Sequence, residues 1–272
     1  MRPGRVRIDG GGKVKGGGKH PVLVQTVDKA AQILYALAQE PSGVGVTDLA
    51  RRVRVNPSTV YRILSTLCMH HLVEQDPVTS AYRLGLGVLR LSSTILQSME
   101  LRRAARPVME RLRDETGETV NLMVLDGTTG VYVESVESHQ SVRKVVHVGT
   151  VEALHCSAVG KAILAFLEES RLEEILARGL QRFTPNTITS ADALKDHLAV
   201  VRGRGYAIDD EEGEVGTRCV GAPIFGLDGR VTAALSVSGP SFRLTRERLE
   251  LFSRPTVEAA ARISAQIGYA PR

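Results

Sequence analysis

The sequence predicts an α+β protein of two domains, an N-terminal winged helix-turn-helix domain and a larger C-terminal domain of mixed helices and strands. Three observations lead to this prediction. A chain of 272 residues suits two domains better than one. Residues 1–90 hold 13 Lys/Arg and 6 Asp/Glu, whereas residues 91–272 hold 22 and 24, so the excess of positive charge lies in the first third. That third also contains two short amphipathic helices before a β-hairpin, while the remainder alternates between strand and helix patterns.

The chain begins with a tail, residues 1–20, that is rich in Gly, Lys and Arg and has too few apolar residues to order itself. We predict a disordered basic tail. It would either contact a phosphate backbone or be a plain extension, and Gly-rich composition favours the second. The first domain is expected at residues 21–85. Thr26 is expected to cap its first helix, from Val27 to about Glu40, which Pro41-Ser42-Gly43 ends.

A helix-turn-helix unit is predicted from Val46 to Leu72. Its first helix carries apolar residues at the i, i+3, i+4, i+7 spacing, with Thr47 as the expected N-cap. Asn56-Pro57 starts the second helix, because proline fits the first helical turn. The second helix turns four apolar residues inward, namely Val60, Ile63, Leu64 and Leu67.

The outer face of the second helix is predicted to contact DNA. It carries small hydroxyl side chains, an aromatic residue and an arginine, which suit a helix lying in the major groove. A helical hairpin with a merely solvated outer face is the alternative. The residues expected to contact bases or phosphates on this and neighbouring elements are Thr47, Arg51, Arg52, Arg54, Ser58, Thr59, Tyr61, Arg62 and Arg83.

Two short strands, Leu72-Val73-Glu74 and Ala81 to Leu84, are predicted around a turn at residues 76–80, and they complete a winged helix-turn-helix. Cys68, His70 and His71 lie close together in sequence. We predict no metal site there, since histidines at a helix end interact with its last carbonyls and no fourth ligand is evident.

A linker helix is predicted at residues 86–98, with one apolar stripe that would also form a dimer contact. The second domain is expected at residues 99–272. Its predicted helices are Glu100–Thr116, Ala158–Leu167, Glu169–Arg178, Ala191–Gly203 and Thr245–Ile267. Its predicted strands are Val120–Leu125, Val131–Val136, Val142–Val148, Ala207–Asp209, Arg218–Phe225 and Val231–Ser238.

Three segments of the second domain concentrate polar groups. Residues 154–162 place small residues at a helix start, where open backbone N–H groups favour an anion. Residues 209–214 form an acidic run, for which we favour a solvated loop over a divalent cation site. Ser236 and Ser238 share one face of a strand, near Cys219 on another strand. Together the three segments suggest a pocket for a small ligand.

The composition argues against several classes of protein. Three cysteines do not form a disulfide framework, no apolar run is long enough to span a membrane, and no signal peptide is evident, so we expect a cytoplasmic protein. No nucleophile-elbow, phosphate-loop or paired metal motif is present. We therefore predict neither an enzyme nor a cofactor.

The chain resembles the IclR family of bacterial transcriptional regulators from about Val24 to its end. The similar segments are VDKAAQILYALA, TDLARRVRVNPSTVYRILSTL, YRLGLGVLRL, LHCSAVGKAILA and GYAIDDEEGEVGTRCVGAPIFGLDGRVTAALSVSGP. The histidine pair at residues 70 and 71 departs from the glycine turn that many members have there.

This resemblance implies a C-terminal domain of GAF-like shape that binds a small effector, with a homodimer or dimer of dimers binding a palindromic operator. It also implies the effector-binding groups, which are the backbone amides of Ala158 and Val159 and the side chains of Asp209, Cys219, Ser236 and Ser238. We predict a ligand-responsive regulator, with repression as the expected mode, that senses an organic or aromatic acid. The alternative from a different class is a thiol-based redox sensor or enzyme that uses Cys156 or Cys219.

Overall fold

A computed structural model describes residues 23–270, and contacts divide them into two compact units, residues 23–98 and residues 99–270. The predicted tail at residues 1–20 lies outside the described residues. No described helix is long and apolar enough to cross a membrane.

The first unit is a winged helix-turn-helix. Its elements in order are α1 (Gln25–Ala38), α2 (Val46–Val53), α3 (Pro57–Met69), β1 (Val73–Gln75), β2 (Tyr82–Leu84) and α4 (Leu86–Ser98). The three first helices pack their apolar faces together with the hairpin, and β1 pairs antiparallel with β2. The core residues at the centre of this unit are Ile33, Leu37, Leu49, Val60, Leu64, Val73 and Tyr82.

Both threonines predicted as helix caps are wrong, because each helix begins earlier. Val24 precedes α1, and its carbonyl accepts the first turn's N–H groups. Gly45 precedes α2 since Val44 is held extended by two backbone hydrogen bonds of 2.9 Å with Tyr82. Thr47 therefore lies inside the first turn of α2, exposed to solvent.

The start of α3 and the turn after it are set by local side-chain and backbone geometry. The predicted start at Asn56-Pro57 is confirmed, because the Asn56 side chain accepts a hydrogen bond of 3.0 Å from the Ser58 amide. After α3, His71 takes a left-handed conformation with φ of 57° and so supplies the turn itself. Its carbonyl accepts the Gly87 amide at 2.8 Å, which ties the start of α4 to the end of α3.

The second unit is a six-stranded antiparallel sheet with helices on both faces, so the predicted α+β class is confirmed. The strand order is β5-β4-β3-β8-β7-β6. The strands are β3 (Thr119–Asp126), β4 (Thr129–Val136), β5 (Val151–Glu152), β6 (Ala207–Asp210), β7 (Thr217–Phe225) and β8 (Val231–Pro240). The helices are α5 (Glu100–Thr116), α6 (Ala158–Leu164), α7 (Glu169–Leu176), α8 (Ala191–Arg204) and α9 (Arg246–Gln266).

The period-2 alternation of the strands builds two hydrophobic cores. Leu122 and Leu235 face α5 and α9, whereas their neighbours Met123 and Ala234 face α6, α7 and α8. A short 3-10 turn, Leu154–Cys156, leads directly into α6. This turn packs closely on α6 because residue 160 is glycine, where a Cβ would lie 2.2 Å from the Leu154 carbonyl oxygen.

The strand predicted at Val142–Val148 is wrong, since residues 137–150 form no strand and β5 follows them. Side chains hold this segment where a ladder of backbone bonds was expected. The Thr119 hydroxyl donates to the Lys144 carbonyl at 2.8 Å, and Arg243 donates to the Val142 carbonyl at 2.9 Å. The alternating apolar residues are typical of a strand, but the segment forms no ladder with the outer edge of β4, which pairs with β5 only at Gly130 and Val131.

Candidate DNA-binding surface and ligand pocket

The outer face of α3 presents the predicted polar residues to solvent. Ser58, Tyr61 and Arg62 are exposed, with Tyr61 at 57%, while Thr59 is half-buried. The Ser58 hydroxyl donates to the Asn56 side chain, which orients it at the start of the helix. The Arg62 guanidinium has no side-chain partner among the described residues, so it is available for an acceptor outside the chain.

The arginines around α3 are mostly held in exposed ion pairs. Arg51 pairs with Asp48, Arg52 with Glu40 and Arg83 with Glu74, all in solvent. Exposed pairs of this kind contribute about 0–1 kcal/mol, so a phosphate can compete for these arginines at little cost. Arg54 is exposed at the left-handed end of α2, with φ of 54°.

The six residues predicted to bind an effector all line one pocket in the second unit. Strand register places three of them side by side, because Asp209 of β6 lies opposite Cys219 of β7, which lies opposite Ser238 of β8. Ser236 follows on the same face of β8, and its hydroxyl lies 3.3 Å from that of Ser238. All four side chains are buried.

The start of α6 also lines this pocket. Ser157 caps the helix by accepting a hydrogen bond of 3.2 Å from the Gly160 amide. The amides of Ala158 and Val159 precede the first intrahelical bond, and no acceptor for them is found in residues 23–270. Gly221 of β7 lets the sheet approach this turn, because a Cβ there would lie 2.9 Å from the Ala158 carbonyl carbon.

Besides Ser157 and Thr217, five larger polar residues line the pocket and were not predicted. They come from β3, β4, β5 and the loops that precede β5 and β7, and they are Asn121, Tyr132, Lys144, Glu152 and Glu214. Tyr132 donates to Glu152 and Lys144 to Glu214, while the Asn121 amide donates to Ser238 at 3.2 Å. Of these residues, only Asn121 could have been noticed in the sequence, because it interrupts a run of apolar strand residues. The other four residues become neighbours of the pocket only through tertiary structure.

Carboxylates dominate the electrostatics of this pocket. Burial raises the pKa of Asp209 to about 7, although its Oδ1 accepts the Glu212 amide at 2.7 Å. Burial also raises the pKa of Glu152. Burial alone would lower the pKa of Lys144, but its hydrogen bond with Glu214 and the surrounding carboxylates raise it. Lys144 is the one cationic side chain that lines the pocket within the described part of the chain.

The space left between these side chains is about 20 Å³, which is room for about one water molecule. Any organic acid is larger, so its binding requires lining side chains to move. Lys144 and Glu214 are the partly exposed pair at the pocket, and they sit on loops and not on the sheet. They are therefore the groups that can move at least cost.

The acidic run is ordered, and the solvated loop favoured for it is wrong. Asp210 pairs with Arg218 and Arg246, and buried Glu212 pairs with Lys161, a lysine with no exposed surface. Lys161 also donates to the Ile208 carbonyl. The basic partners come from α6, β7 and α9, and of the three only Arg218 lies near the run in sequence.

The thiols lie in surroundings that disfavour the thiolate. Burial and nearby carboxylates raise the pKa of Cys156 and of Cys219. A reactive thiol needs an accessible, electropositive setting. The ring of His155 contacts the Gln181 carbonyl oxygen at 2.9 Å, and Cys156 donates to the Ala153 carbonyl, so these neighbours in sequence do not pair. The surroundings of Cys156 and Cys219 therefore do not favour a thiol-based redox sensor or enzyme.

Comparison with known proteins identifies the family. The model of the IclR helix-turn-helix domain matches residues 26–77, and the model of the bacterial transcriptional regulator IclR C-terminal domain matches residues 93–265. The chain belongs to the IclR family. It is a DNA-binding transcriptional regulator of the kind that responds to small-molecule effectors, and not an enzyme.

Relatives cover nearly the whole chain. The HTH-type transcriptional regulator BhcR of Paracoccus denitrificans is 40% identical over 92% of this chain and 88% of its own length. The transcriptional repressor IclR of Escherichia coli is 33% identical over 90% of each chain. An IclR homologue of Microbacterium hydrocarbonoxydans in complex with 4-hydroxybenzoate has a TM-score of 0.75 and 26% identity, covering 89% of this chain and 98% of its own.

Proposed function

We propose that this IclR-family regulator is a cytoplasmic repressor that binds a palindromic operator as a dimer or dimer of dimers and is controlled by a small organic acid. The observation that carries the ligand part is the convergence of Asp209, Cys219, Ser236 and Ser238 with the two unpaired amides at the start of α6. These groups come from four elements, and their polar atoms point to a ligand and not to packing alone.

For DNA, we assign direct base contacts to the outward side chains of α3. Arg62 is the best candidate because its guanidinium is exposed and can form two hydrogen bonds with a guanine edge. Ser58, Thr59 and Tyr61 would contact neighbouring bases or phosphates. Thr47, Arg51, Arg52, Arg54 and Arg83 surround this face and would contact the phosphate backbone.

A dimer is supported by exposed apolar side chains on α4. Leu86, Leu89, Leu91 and Ile95 are each more than 60% exposed in the single chain. Apolar side chains gathered on one helix in this way mark an interaction site more often than a solvent-facing surface. Two copies would place their α3 helices in successive major grooves, about 34 Å apart.

For the effector, we assign its carboxylate to the amides of Ala158 and Val159, and its remaining polar groups to the serine hydroxyls and Asp209. The complex of the Microbacterium homologue with 4-hydroxybenzoate supports an aromatic or other organic acid as the class. The effector alters operator binding only if it binds the free and the DNA-bound conformations with different affinity.

A screen for binding followed by a DNA assay tests the proposal. Thermal unfolding of the full chain is measured against small aromatic, keto and hydroxy acids, and a ligand at 100 times its Kd should stabilise the folded state by about 2.7 kcal/mol. The stabilisation should disappear in a Ser236→Ala, Ser238→Ala double variant and persist in Ser241→Ala, a serine outside the pocket. An acid that stabilises both variants equally would show that it binds elsewhere.

A further inference from the structure

The ligand pocket is lined mainly by polar side chains. Ten of its fifteen lining residues carry a side-chain oxygen or nitrogen atom, and the hydrocarbon side chains among them are those of Val146, Ala158 and Val159. Small-molecule sites are usually lined by apolar and aromatic side chains with a few polar groups. A ligand that suits this pocket therefore forms hydrogen bonds over most of its surface, and not at one end alone.

Two carboxylate oxygens face the pocket without a partner. Asp209 accepts the Glu212 amide on Oδ1 at 2.7 Å, and Glu152 accepts the Tyr132 hydroxyl on Oε2. Their other oxygens, Oδ2 and Oε1, form no hydrogen bond with the described residues, yet neither is among the fully enclosed atoms that lack a partner. Oε1 of Glu152 lies beside Gly213, which also lines the pocket. Both oxygens are therefore accessible to a ligand.

The protonation of these carboxyl groups restricts the groups that can pair with them. Burial raises the pKa of both, that of Asp209 to about 7. Near neutral pH, Asp209 is therefore present in its charged and its neutral form. A hydroxyl group donates to the charged form and accepts from the neutral form. A keto oxygen only accepts and an ammonium group only donates, so each of them pairs with one form alone.

Neutral hydrogen-bonding groups continue along the sheet face of the pocket. The Ser236 and Ser238 hydroxyls lie 3.3 Å apart, and the Asn121 amide donates to Ser238 at 3.2 Å. All three side chains are buried. Among the described residues, Tyr132 is the one aromatic residue that lines the pocket. The face of an aromatic ring forms no strong hydrogen bond, so a ring placed here would cover these groups and Asp209 without pairing with them, which is unfavourable.

We propose that the effector is a hydroxylated aliphatic monocarboxylic acid, and not an aromatic acid. Its carboxylate binds the amides of Ala158 and Val159, and its hydroxyl groups pair with Asp209, Glu152 and the two serines. A second carboxylate would meet the three carboxylates of the lining, which disfavours dicarboxylic acids. This inference rests on the proposed function, since it takes this pocket as the effector site.

Titration calorimetry on the full chain compares acids that differ in one kind of group. For each chain length from two to six carbons, the hydroxylated acid is measured beside the keto, the amino and the unsubstituted acid of the same length. Benzoate and 4-hydroxybenzoate are the aromatic probes. At the length that binds best, the hydroxylated acid should bind at least about tenfold more tightly than its keto and amino counterparts. It should bind at least about a hundredfold more tightly than the unsubstituted and aromatic acids.

The outcomes separate this inference from the proposed function. A keto, amino, unsubstituted or aromatic acid that binds as tightly as the best hydroxylated acid would overturn the inference and leave the proposed function standing. Absence of binding by every probe would contradict both. A hydroxylated acid that binds as expected but leaves operator affinity unchanged would support the ligand class and contradict control of the operator by this pocket.

The serine variant locates the hydroxyl contacts. In Ser236→Ala, Ser238→Ala, the hydroxylated acid should lose at least about tenfold in affinity, whereas the unsubstituted acid of the same length should bind as before or more tightly. Ser241→Ala is the matched control, because this serine does not line the pocket, and both affinities should stay unchanged in it. Equal losses for the two acids in the double variant would show that the serines only shape the pocket, and would overturn the hydroxyl contacts.

Discussion

At the scale of single residues, burial decides what each polar group in the pocket can do. Asp209 is 4% exposed and faces Cys219 and Ser238, so its ionised form lacks the solvation that a surface carboxylate has. The same burial keeps the thiols protonated. A carboxylate effector would therefore meet a pocket whose central acid changes charge near neutral pH, and this has a measurable consequence.

Effector binding should depend on pH through Asp209. Its pKa is raised to about 7, so below pH 7 it is neutral and above it is charged and repels a bound carboxylate. Affinity should fall by up to about tenfold per pH unit as the pH rises above 7. Titration calorimetry from pH 6 to 9 measures this, with Asp209→Asn as the variant that should lose the dependence. An unchanged slope in that variant would assign the proton to another group.

The raised pKa of Asp209 also predicts how the stability of the chain depends on pH. A carboxyl whose pKa is raised on folding stabilises the folded state fully below the unfolded pKa near 4 and loses that contribution as the pH rises through about 7. The free energy of unfolding should therefore fall between pH 4 and 7 in the unmodified chain by more than in Asp209→Asn. Urea unfolding at several pH values measures the difference, and parallel curves would contradict it.

Arg62 gives a prediction at the DNA-binding face. Arg62→Ala should cost about 1–3 kcal/mol in operator binding and relax the preference at one base position, if the guanidinium reads a base edge. Arg51→Ala is the control, since a phosphate contact should weaken all sequences alike. Gel shifts on the operator and on singly substituted operators distinguish the two. Unchanged affinity and preference in Arg62→Ala would remove its assigned role.

At the scale of elements, close backbone contacts position α3 and α6. The start of α4 packs on the turn after α3, where a Cβ at residue 87 would lie 2.6 Å from the His71 carbonyl oxygen. On α6, the buried Lys161 binds Glu212 and the Ile208 carbonyl and so joins the helix to β6. The residues that make the α6 contact, Lys161, Glu212 and Ile208, do not themselves line the pocket.

Gly87→Ala should destabilise the first unit by about 1–3 kcal/mol, because the added methyl group meets backbone and not a flexible side chain. The matched control is Gly203→Ala within α8, where nothing lies within 4 Å of the added Cβ. There the higher helix propensity of alanine should leave stability unchanged or raise it by up to about 1 kcal/mol. Thermal unfolding compares both, and equal stability of the two variants would contradict the close contact.

An element could be predicted from the sequence when the residues that determine its position are close together in the chain. The start of α3 was predictable because Asn56 caps it within two residues. Thr47 was assigned wrongly because the start of α2 depends on Tyr82, far along the chain. In the pocket, the resemblance to a family indicated Asp209, Cys219, Ser236 and Ser238. Lys144 was not found, since it lies on an irregular segment held by tertiary hydrogen bonds.

At the scale of the whole molecule, the chain joins a DNA-binding unit to a ligand-binding unit, each with its own core. The first unit has a small excess of positive charge, with 7 Lys/Arg and 5 Asp/Glu in residues 23–98, and the ligand pocket lies in the second unit. Regulation requires that one equilibrium between conformations be biased by both operator and effector. Because such coupling is reciprocal, DNA binding should change effector affinity by the same factor as the effector changes DNA affinity.

The most direct test of this account is operator affinity measured by gel shift over a range of concentrations of an acid found in the thermal screen. We expect the acid to change operator affinity by about 5–150-fold in the unmodified chain. The Ser236→Ala, Ser238→Ala variant should bind the operator normally and lose the response. An acid that binds the pocket and leaves operator affinity unchanged, or a response that survives in the variant, would contradict the claim that this pocket controls DNA binding.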